Sequence, residues 1–297
     1  MRLLTFEEND AGRLGLLKDD DRTVIDLAAA AEVLRMPAFP SDMVRFIEAG
    51  EAALSQARAV LASELTPECT RSLSKLRVKA PIERPRKNVY CVGLNYVAHS
   101  KEFQGPQKPL PEHPIIFTKP PRSVVGQGDS VSAYAHLTNE LDYEAELGVV
   151  IGKTGRDIKP ENVPDHIFGY TCINDITARD LQRKHGQWFI GKSMDGFCPI
   201  GPAILVREGC AWPPALRIES RVNGEVRQSS VTDQLIFDIT RLIVTLSAGH
   251  TLEPGDILAT GTPAGVGMSF VPPRFLRHGD LVEVEIEKIG ILRNSIV

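Results

Sequence analysis

The stretch LDYEAELGVVIG, residues 141–152, decides how the centre of the chain folds. Its apolar residues Val149 to Ile151 are typical of the end of a buried strand. Glu144 and Glu146 precede that end two residues apart, so on a strand both side chains point to one face. Adjacent carboxylates repel each other unless a positive charge lies between them, and a divalent cation would supply it. An acidic edge facing solvent is the alternative, and this segment alone leaves both open.

Short apolar runs with Gly and Pro between them predict many strands and few helices in the rest of the chain. One helical stripe is present, within residues 233–247, where apolar residues recur at helical spacing. This pattern favours an α+β, β-rich domain over a doubly wound parallel sheet. The predicted strands are 89–92, 115–118, 144–151, 203–206, 216–222, 256–260 and 281–286.

Residues 1–75 are predicted to form a small N-terminal α/β domain. Strands are expected at 2–6, 13–17 and 23–27, and the apolar spacing over 41–62 predicts one helix, which Gly50 weakens. Residues 76–88 contain two prolines and a run of positive charges, and we interpret them as a linker. Residues 89–297 would then form the catalytic domain.

Composition and charge exclude several classes of protein. Of the 297 residues, 42% are apolar and 24% are charged, which is ordinary globular composition, and the net charge of −4 supplies no basic face for nucleic acid or a membrane surface. No apolar run approaches the length of a transmembrane helix, and the opening MRLLTFEEND lacks the apolar core of a signal peptide. Five cysteines without a C-x-x-C pair fit free thiols in the cytoplasm.

Four further motifs follow the first stretch along the chain. They are GYTCINDITARDLQ (169–182), GKSMDGFCPIGP (191–202), LEPGD (252–256) and TGTPAGVG (260–267). Together with residues 141–152, in this order, they resemble the fumarylacetoacetate hydrolase (FAH) family from about Asn88 to the C-terminus. The resemblance implies a mixed β-sandwich roll for the C-terminal domain and a homodimer. The N-terminal unit resembles the smaller, more variable domain of bacterial members.

The resemblance implies a site for one Mg²⁺ or Mn²⁺ ion formed by Glu144, Glu146 and Asp175. The residue types agree, because three carboxylates without a histidine at ligand spacing favour a hard cation over zinc. Three protein ligands would leave positions open for water and substrate.

The family motifs also imply roles for seven further residues. His99 and Glu102, in an H-x-x-E stretch, match the dyad that activates water, although an exposed salt-bridged turn is the alternative for the pair taken alone. Residues 96–114, rich in proline with Gly105, suit a lid over the ligand. The other matches are Lys119 near the metal, Lys192, Arg179 and Gln182 on the oxygens of the substrate, and Thr262 on its carboxylate; an ordinary surface lysine is the alternative for Lys192.

The implied chemistry starts from a 2-oxo acid whose 2-oxo oxygen takes up negative charge beside the metal. The H-x-x-E stretch favours water chemistry, so the first expectation is a hydrolase that cleaves a C–C bond in a 2,4-dioxo acid. The alternatives are an oxaloacetate decarboxylase or keto–enol tautomerase, or an isomerase of 2-hydroxyhepta-2,4-diene-1,7-dioate. A non-catalytic binding module with a structural metal is less consistent with open metal positions.

Overall fold

The computed structural model describes residues 1–105 and 107–297. The strands of these residues are β1 (Arg2–Glu8), β2 (Ala11–Leu17), β3 (Thr23–Asp26), β4 (Thr70–Ser72), β5 (Val78–Lys79), β6 (Val89–Gly93), β7 (Ile115–Lys119), β8 (Val124–Val125), β9 (Leu141–Asp142), β10 (Ala145–Ile151), β11 (Ile167–Asn174), β12 (Thr177–Ala178), β13 (Cys198–Val206), β14 (Arg217–Val222), β15 (Glu225–Val231), β16 (Ile257–Ala259), β17 (Leu281–Ile286) and β18 (Gly290–Ser295). The helices are α1 (Leu27–Val33), α2 (Met43–Ala49), α3 (Glu51–Ala62), α4 (Val97–Gln104), α5 (Arg179–Lys184), α6 (Phe189–Lys192) and α7 (Ile239–Ser247). Short 3₁₀ helices lie at Pro67–Cys69, Leu73–Lys75, Pro121–Ser123, Pro160–His166, Arg207–Gly209 and Gly267–Ser269.

A large mixed sheet forms the centre of the molecule. Its strand order is β4-β3-β2-β1-β13-β11-β10-β16-β6-β7, with β5 paired to β1 and β8 paired to β13. Most neighbours are antiparallel, whereas β16 runs parallel to β6 and β8 runs parallel to β13. A second sheet has the order β15-β14-β17-β18, and β9 pairs with β12. The β-rich α+β fold class predicted from the sequence is confirmed.

Strand β10 lies in the middle of the core, and all seven of its residues are buried. Leu147 and Val149 pack on the side of helix α7 and the second sheet, while Val150 packs on the opposite side against the first half of the large sheet. Gly148 allows the side chain of Ile173 on β11 to pack directly against β10, since a Cβ atom at residue 148 would lie 2.7 Å from it. Because both faces of β10 are covered, any charged side chain on it must find partners inside the protein.

The N-terminal elements differ from the prediction at two places. The helix predicted over 41–62 is two helices, because Gly50 adopts a φ of +57° that ends α2 and starts α3. The strand predicted to reach residue 27 stops at Asp26, whose side chain accepts hydrogen bonds from the N–H groups of Ala28 and Ala29 and caps α1. Helix α1 itself was not predicted.

The N-terminal strands continue the large sheet. Strand β1 pairs with β13 through Arg2 and Leu3, and β5, which lies in the segment predicted as a linker, pairs with β1 through Val78 and Lys79. The division of the chain at residues 75 and 88 into two domains and a linker stays a prediction.

Helix α7 is shorter than its predicted range. It begins at Ile239 because Asp238 caps it by accepting a hydrogen bond of 2.7 Å from the N–H group of Arg241. Its apolar stripe, which includes Leu242, Ile243 and Leu246, is buried against β10. Within the described ranges, no helix combines the length and apolarity needed to cross a membrane.

Asp26 is a position where the fold can be tested. Its carboxylate is fully buried, caps α1 and contacts Arg13 at 3.0 Å and Arg71 at 3.3 Å. We expect Asp26→Ala to lower the free energy of unfolding by about 2 to 3 kcal/mol, because the cap and two charged hydrogen-bond partners are lost together. Urea denaturation measures this change. Asp42→Ala removes the exposed cap of α2 and should cost only about 1 kcal/mol, and equal costs would contradict the role of burial at Asp26.

Candidate active site

Three buried carboxylates meet where β10 begins and β11 ends. Glu144 directly precedes β10, Glu146 lies on it, and Asp175 directly follows β11. The two strands are antiparallel, and the N–H group of Asp175 donates to the carbonyl oxygen of Glu144 at 2.9 Å, so the start of one strand lies beside the end of the other. One oxygen from each carboxylate lies within 4.8 Å of the others, and none of the three residues is more than 5% exposed. The structure therefore gathers the three residues of the predicted metal site.

Lys192, at the end of α6, places its ammonium group between two of these carboxylates. Its Nζ atom donates to Glu144 at 2.9 Å, to Asp175 at 2.5 Å and to the hydroxyl of Thr177 at 2.8 Å. Burial by itself lowers the pKa of Lys192, but the attraction of Asp175 and Glu144 outweighs it and raises the pKa above its usual value. Lys192 is 2% exposed, so it is not an ordinary surface lysine.

Lys119, the last residue of β7, compensates the negative charge of Asp175 at the carboxylate oxygen that Lys192 does not contact. Its Nζ atom lies 2.6 Å from Asp175 Oδ1 and donates to the carbonyl oxygens of Ile176 at 2.9 Å and Phe197 at 2.8 Å. A further bond runs to the carbonyl oxygen of Lys192. Lys119 is fully buried, and these contacts fix the direction of the Asp175 carboxylate.

Arg179, the first residue of α5, connects Glu144 of the predicted metal site to a fourth acid, Asp142. Its guanidinium donates to Asp142 at 2.8 Å, lies 2.7 Å from Glu144 and donates to Gln182 at 3.2 Å. Asp142 also accepts bonds from the backbone N–H groups of Gly267 and Met268, at 2.6 and 3.1 Å. Sequence reasoning missed Asp142, although it lies two residues before Glu144, the same spacing that drew attention to Glu146.

The two glutamates have opposite electrostatic environments. Burial raises the pKa of Glu144, but Lys192 and Arg179 more than reverse this effect and hold the pKa well below its usual value. Burial and repulsion from Asp175 and Glu144 raise the pKa of Glu146 well above its usual value, despite the bond of 2.8 Å from the N–H group of Gly261. The site therefore lacks one positive charge next to Glu146. Three carboxylate donors without a histidine or cysteine fit a hard divalent cation such as Mg²⁺ or Mn²⁺.

The predicted dyad lies on α4. His99 Nδ1 is 3.2 Å from Glu102 Oε2, and Glu102 Oε1 accepts a bond of 3.0 Å from the N–H group of Gly265. An ionised carboxylate only accepts, so Nδ1 carries the hydrogen and Nε2 keeps a free lone pair. His99 is 3% exposed, so the pair is not an exposed turn. Pro106, in the segment predicted as a lid, lies outside the described residues.

The hydroxyl of Thr262 is already committed to the protein. It donates to the carbonyl oxygen of Ala145 at 2.9 Å and accepts from Gln228 Nε2 at 2.7 Å. Gln228, on β15 of the second sheet, also accepts a bond of 3.0 Å from the N–H group of Ala145, the residue between the two glutamates. Nothing in the sequence marks Gln228, because its strand is more than 80 residues away from β10 along the chain.

A small cavity joins these groups. It has a volume of about 20 Å³, room for roughly one water molecule. A larger groove of about 840 Å³ lies between the N-terminal strands and the β17–β18 hairpin, but none of the groups described above lines it. The polar residues that line the small cavity are Glu144, Glu146, His99, Arg179, Gln182, Lys192 and Thr262, and the apolar ones, called the apolar wall below, are Val92, Leu94, Phe103 and Trp188.

Comparison with a known relative extends over the whole chain. It is 45% identical over 302 residues to a protein named oxaloacetate tautomerase YisK from Bacillus subtilis, with 100% of both chains covered. That match includes the N-terminal residues as well as the region that carries the five motifs.

Two solved structures are similar in both sequence and fold. The fumarylacetoacetate hydrolase from Exiguobacterium antarcticum is 38% identical, with a TM-score of 0.82 and 100% and 99% of the two chains covered. The maleylpyruvate hydrolase from Sphingobium sp. SYK-6, in complex with manganese(II) and pyruvate, is 29% identical, with a TM-score of 0.77 and the same coverage. The model of the fumarylacetoacetate (FAA) hydrolase C-terminal region matches residues 88–297. The chain belongs to the fumarylacetoacetate hydrolase family and is an enzyme of that superfamily.

Proposed function

We propose that this enzyme is a Mg²⁺- or Mn²⁺-dependent keto–enol tautomerase of a short 2-oxo diacid of the oxaloacetate type. The observation that carries the proposal is the buried base His99, which faces the same small cavity as Glu144 and Glu146. The name of the relative that is 45% identical over its full length supports the same reaction. The hydrolysis expected from the sequence becomes the second candidate.

The carboxylates of Glu144, Glu146 and Asp175 would hold the ion. When bound, it would stabilise the negative charge that develops on the 2-oxo oxygen of the substrate. Lys119, Lys192 and Arg179 keep the carboxylates in place, because each contacts at least one of the acids in the cluster.

The reaction moves one proton and breaks no bond between heavy atoms. His99 Nε2 takes a proton from C3 of the substrate, the C3–H electron pair becomes the C2–C3 double bond, and the imidazolium returns that proton to the 2-oxo oxygen to give the enol. Glu102 stabilises the protonated imidazole through Nδ1, at 3.2 Å, and the N–H group of Gly265 holds Glu102 in place.

Hydrolysis of a 2,4-dioxo acid would use the same base to activate water. It is retained because the maleylpyruvate hydrolase from Sphingobium shares the fold at 29% identity. Tautomerisation is favoured because it requires no second reactant and is the reaction named for the relative that is 45% identical over the whole chain. Decarboxylation and isomerisation would draw on the same residues. The homodimer, the cytoplasmic location and the exclusion of nucleic-acid and membrane partners stay predictions.

Metal binding can be tested by stability as well as by activity. Removing divalent ions with a chelator should abolish turnover, and adding Mn²⁺ at about 100 times its Kd should raise the free energy of unfolding by about 2.7 kcal/mol. Asp175→Ala should lose this stabilisation, whereas Asp165→Ala, which removes an exposed carboxylate, should keep it. Full activity after exhaustive chelation would refute the metal requirement.

The affinity for Mn²⁺ should depend on pH in a defined direction. Because the pKa of Glu146 is raised in the ion-free protein, its proton must leave before it can bind the ion. Binding should therefore tighten as pH rises, by up to about tenfold per unit at pH values below the raised pKa of Glu146, and release a proton. Calorimetry in buffers of different ionisation enthalpy measures that proton. An affinity that weakens with rising pH would contradict this assignment.

The role of His99 can be tested with oxaloacetate. The enol absorbs in the ultraviolet, so the approach to keto–enol equilibrium can be followed directly in the presence of Mn²⁺. We expect His99→Ala to lower kcat by about 10² to 10⁴, the usual contribution of a general base. Stabilisation by Mn²⁺ should be unchanged, since His99 is not one of the three carboxylate ligands.

The matched control is His250→Ala, which removes an exposed histidine and should leave the rate unchanged. Unchanged tautomerisation in His99→Ala would show that another group moves the proton. If the wild-type enzyme cleaves an acylpyruvate with a higher kcat/KM than it tautomerises oxaloacetate, the second candidate replaces the first.

A further inference from the structure

Leu94 has an unusual backbone conformation at the edge of the cavity. It lies directly after β6 and three residues before the first residue of α4, and its φ is +55°. This left-handed region is unfavourable for a branched apolar residue, because the Cβ atom crowds the backbone. A glycine could adopt the same conformation without that crowding.

The next residue, Asn95, is held firmly by the protein. Asn95 is fully buried, and its side-chain amide donates to the carbonyl oxygens of Phe237 at 3.0 Å and Thr260 at 2.8 Å. Its Oδ1 atom accepts a bond of 2.8 Å from the N–H group of Phe237. Gly261 packs so closely on it that a Cβ atom there would lie 2.7 Å from Asn95 Cβ. These contacts hold the backbone on the C-terminal side of Leu94 and oppose relaxation of its φ.

The strained residue places its side chain at the reaction site. Leu94 is 6% exposed and lines the cavity together with His99 and Glu144. Phe103 and Trp188 also belong to the apolar wall, and Trp188 is itself held by Phe117, with ring centroids 5.5 Å apart, and by Gly93, where a Cβ atom would lie 2.3 Å from the indole. The wall is therefore backed by fixed neighbours and leaves little free volume.

We propose that Leu94 is a specificity-determining residue that limits the length of the 2-oxo acid the enzyme accepts. This inference rests on the proposed function and names the selectivity of the same site. The cavity has a volume of only about 20 Å³, so a bound acid must take up space that lining side chains now fill, and a longer acid would need the space that Leu94 fills.

The experiment compares a short and a long ligand in the Mn²⁺-loaded enzyme. Oxaloacetate and 2-oxoadipate are titrated against the wild type, Leu94→Ala and Leu94→Gly, and binding is measured by calorimetry. In the wild type the long acid should bind more weakly than the short one. Both variants should improve the relative affinity for the long acid by about tenfold or more, the usual effect of space for one or two methylenes.

The control separates backbone strain from cavity size. Lys288→Gly removes another left-handed residue, with φ of +64°, in the exposed turn between β17 and β18. Lys288→Gly and Leu94→Gly should each remove a strained φ, but only the substitution at Leu94 should change the ligand ratio. Leu94→Ala keeps the left-handed φ of a non-glycine residue but shortens the side chain. It should therefore change the ratio of affinities for the two acids without relieving the backbone strain.

Two results would overturn the inference. One is an equal affinity of the wild type for both acids, and the other is an unchanged ratio in both Leu94 variants. Failure of the proposed function has a different signature: the wild type would not accelerate tautomerisation of oxaloacetate, while the ligand ratios and their change at Leu94 could still be measured. An altered ratio in the absence of tautomerisation would thus support the length limit and refute the reaction.

Discussion

Compensation of buried negative charge is the constraint on which the rest of this structure depends. Four of the buried acids lie together at the candidate site, each at most 5% exposed: Asp142, Glu144, Glu146 and Asp175. Buried carboxylates are tolerated only with partners, and here the partners come from the end of β7 and from α5 and α6, which carry Lys119, Arg179 and Lys192. These elements are held at the junction of β10 and β11 by ion pairs as well as by packing. Three cations and four acids leave one negative charge uncompensated, next to Glu146. A divalent ion would fit there.

The same junction connects the catalytic groups to the second sheet. Gln228 bonds to both Ala145 and Thr262, so β15 supports the strand that carries the glutamates and the loop that follows β16. That loop contains Gly265, whose N–H group holds Glu102 and through it His99. His99 and the carboxylates are thus held by the same second sheet and loop, although they come from distant parts of the chain.

Much of the fold was predictable from local pattern. Short apolar runs bounded by Gly and Pro located β6, β7, β10, β14 and β17 to within two residues, since both the run and its breakers are local features of the sequence. The helix predicted over 41–62 was wrong in one respect, because Gly50 takes a positive φ and divides it. Helix α1 was missed, since its start depends on the cap from Asp26, which also contacts Arg13 and Arg71 from other strands.

The sequence by itself determined that Glu144 and Glu146 share one face of a buried strand, and the order of five motifs indicated the family. Only the tertiary structure decided that Asp175 completes the cluster within 4.8 Å and that Lys192 lies between two of its carboxylates. It also brings Asp142 into contact with Arg179 and Gln228 into contact with Thr262. Leu94 lies at the cavity with a φ that its side chain disfavours. The physical reason is the distance along the chain over which each feature is determined. Side-chain direction along a strand is set by neighbouring backbone, whereas the partner of a buried charge is set by which strands and helices pack together, and no local pattern encodes that.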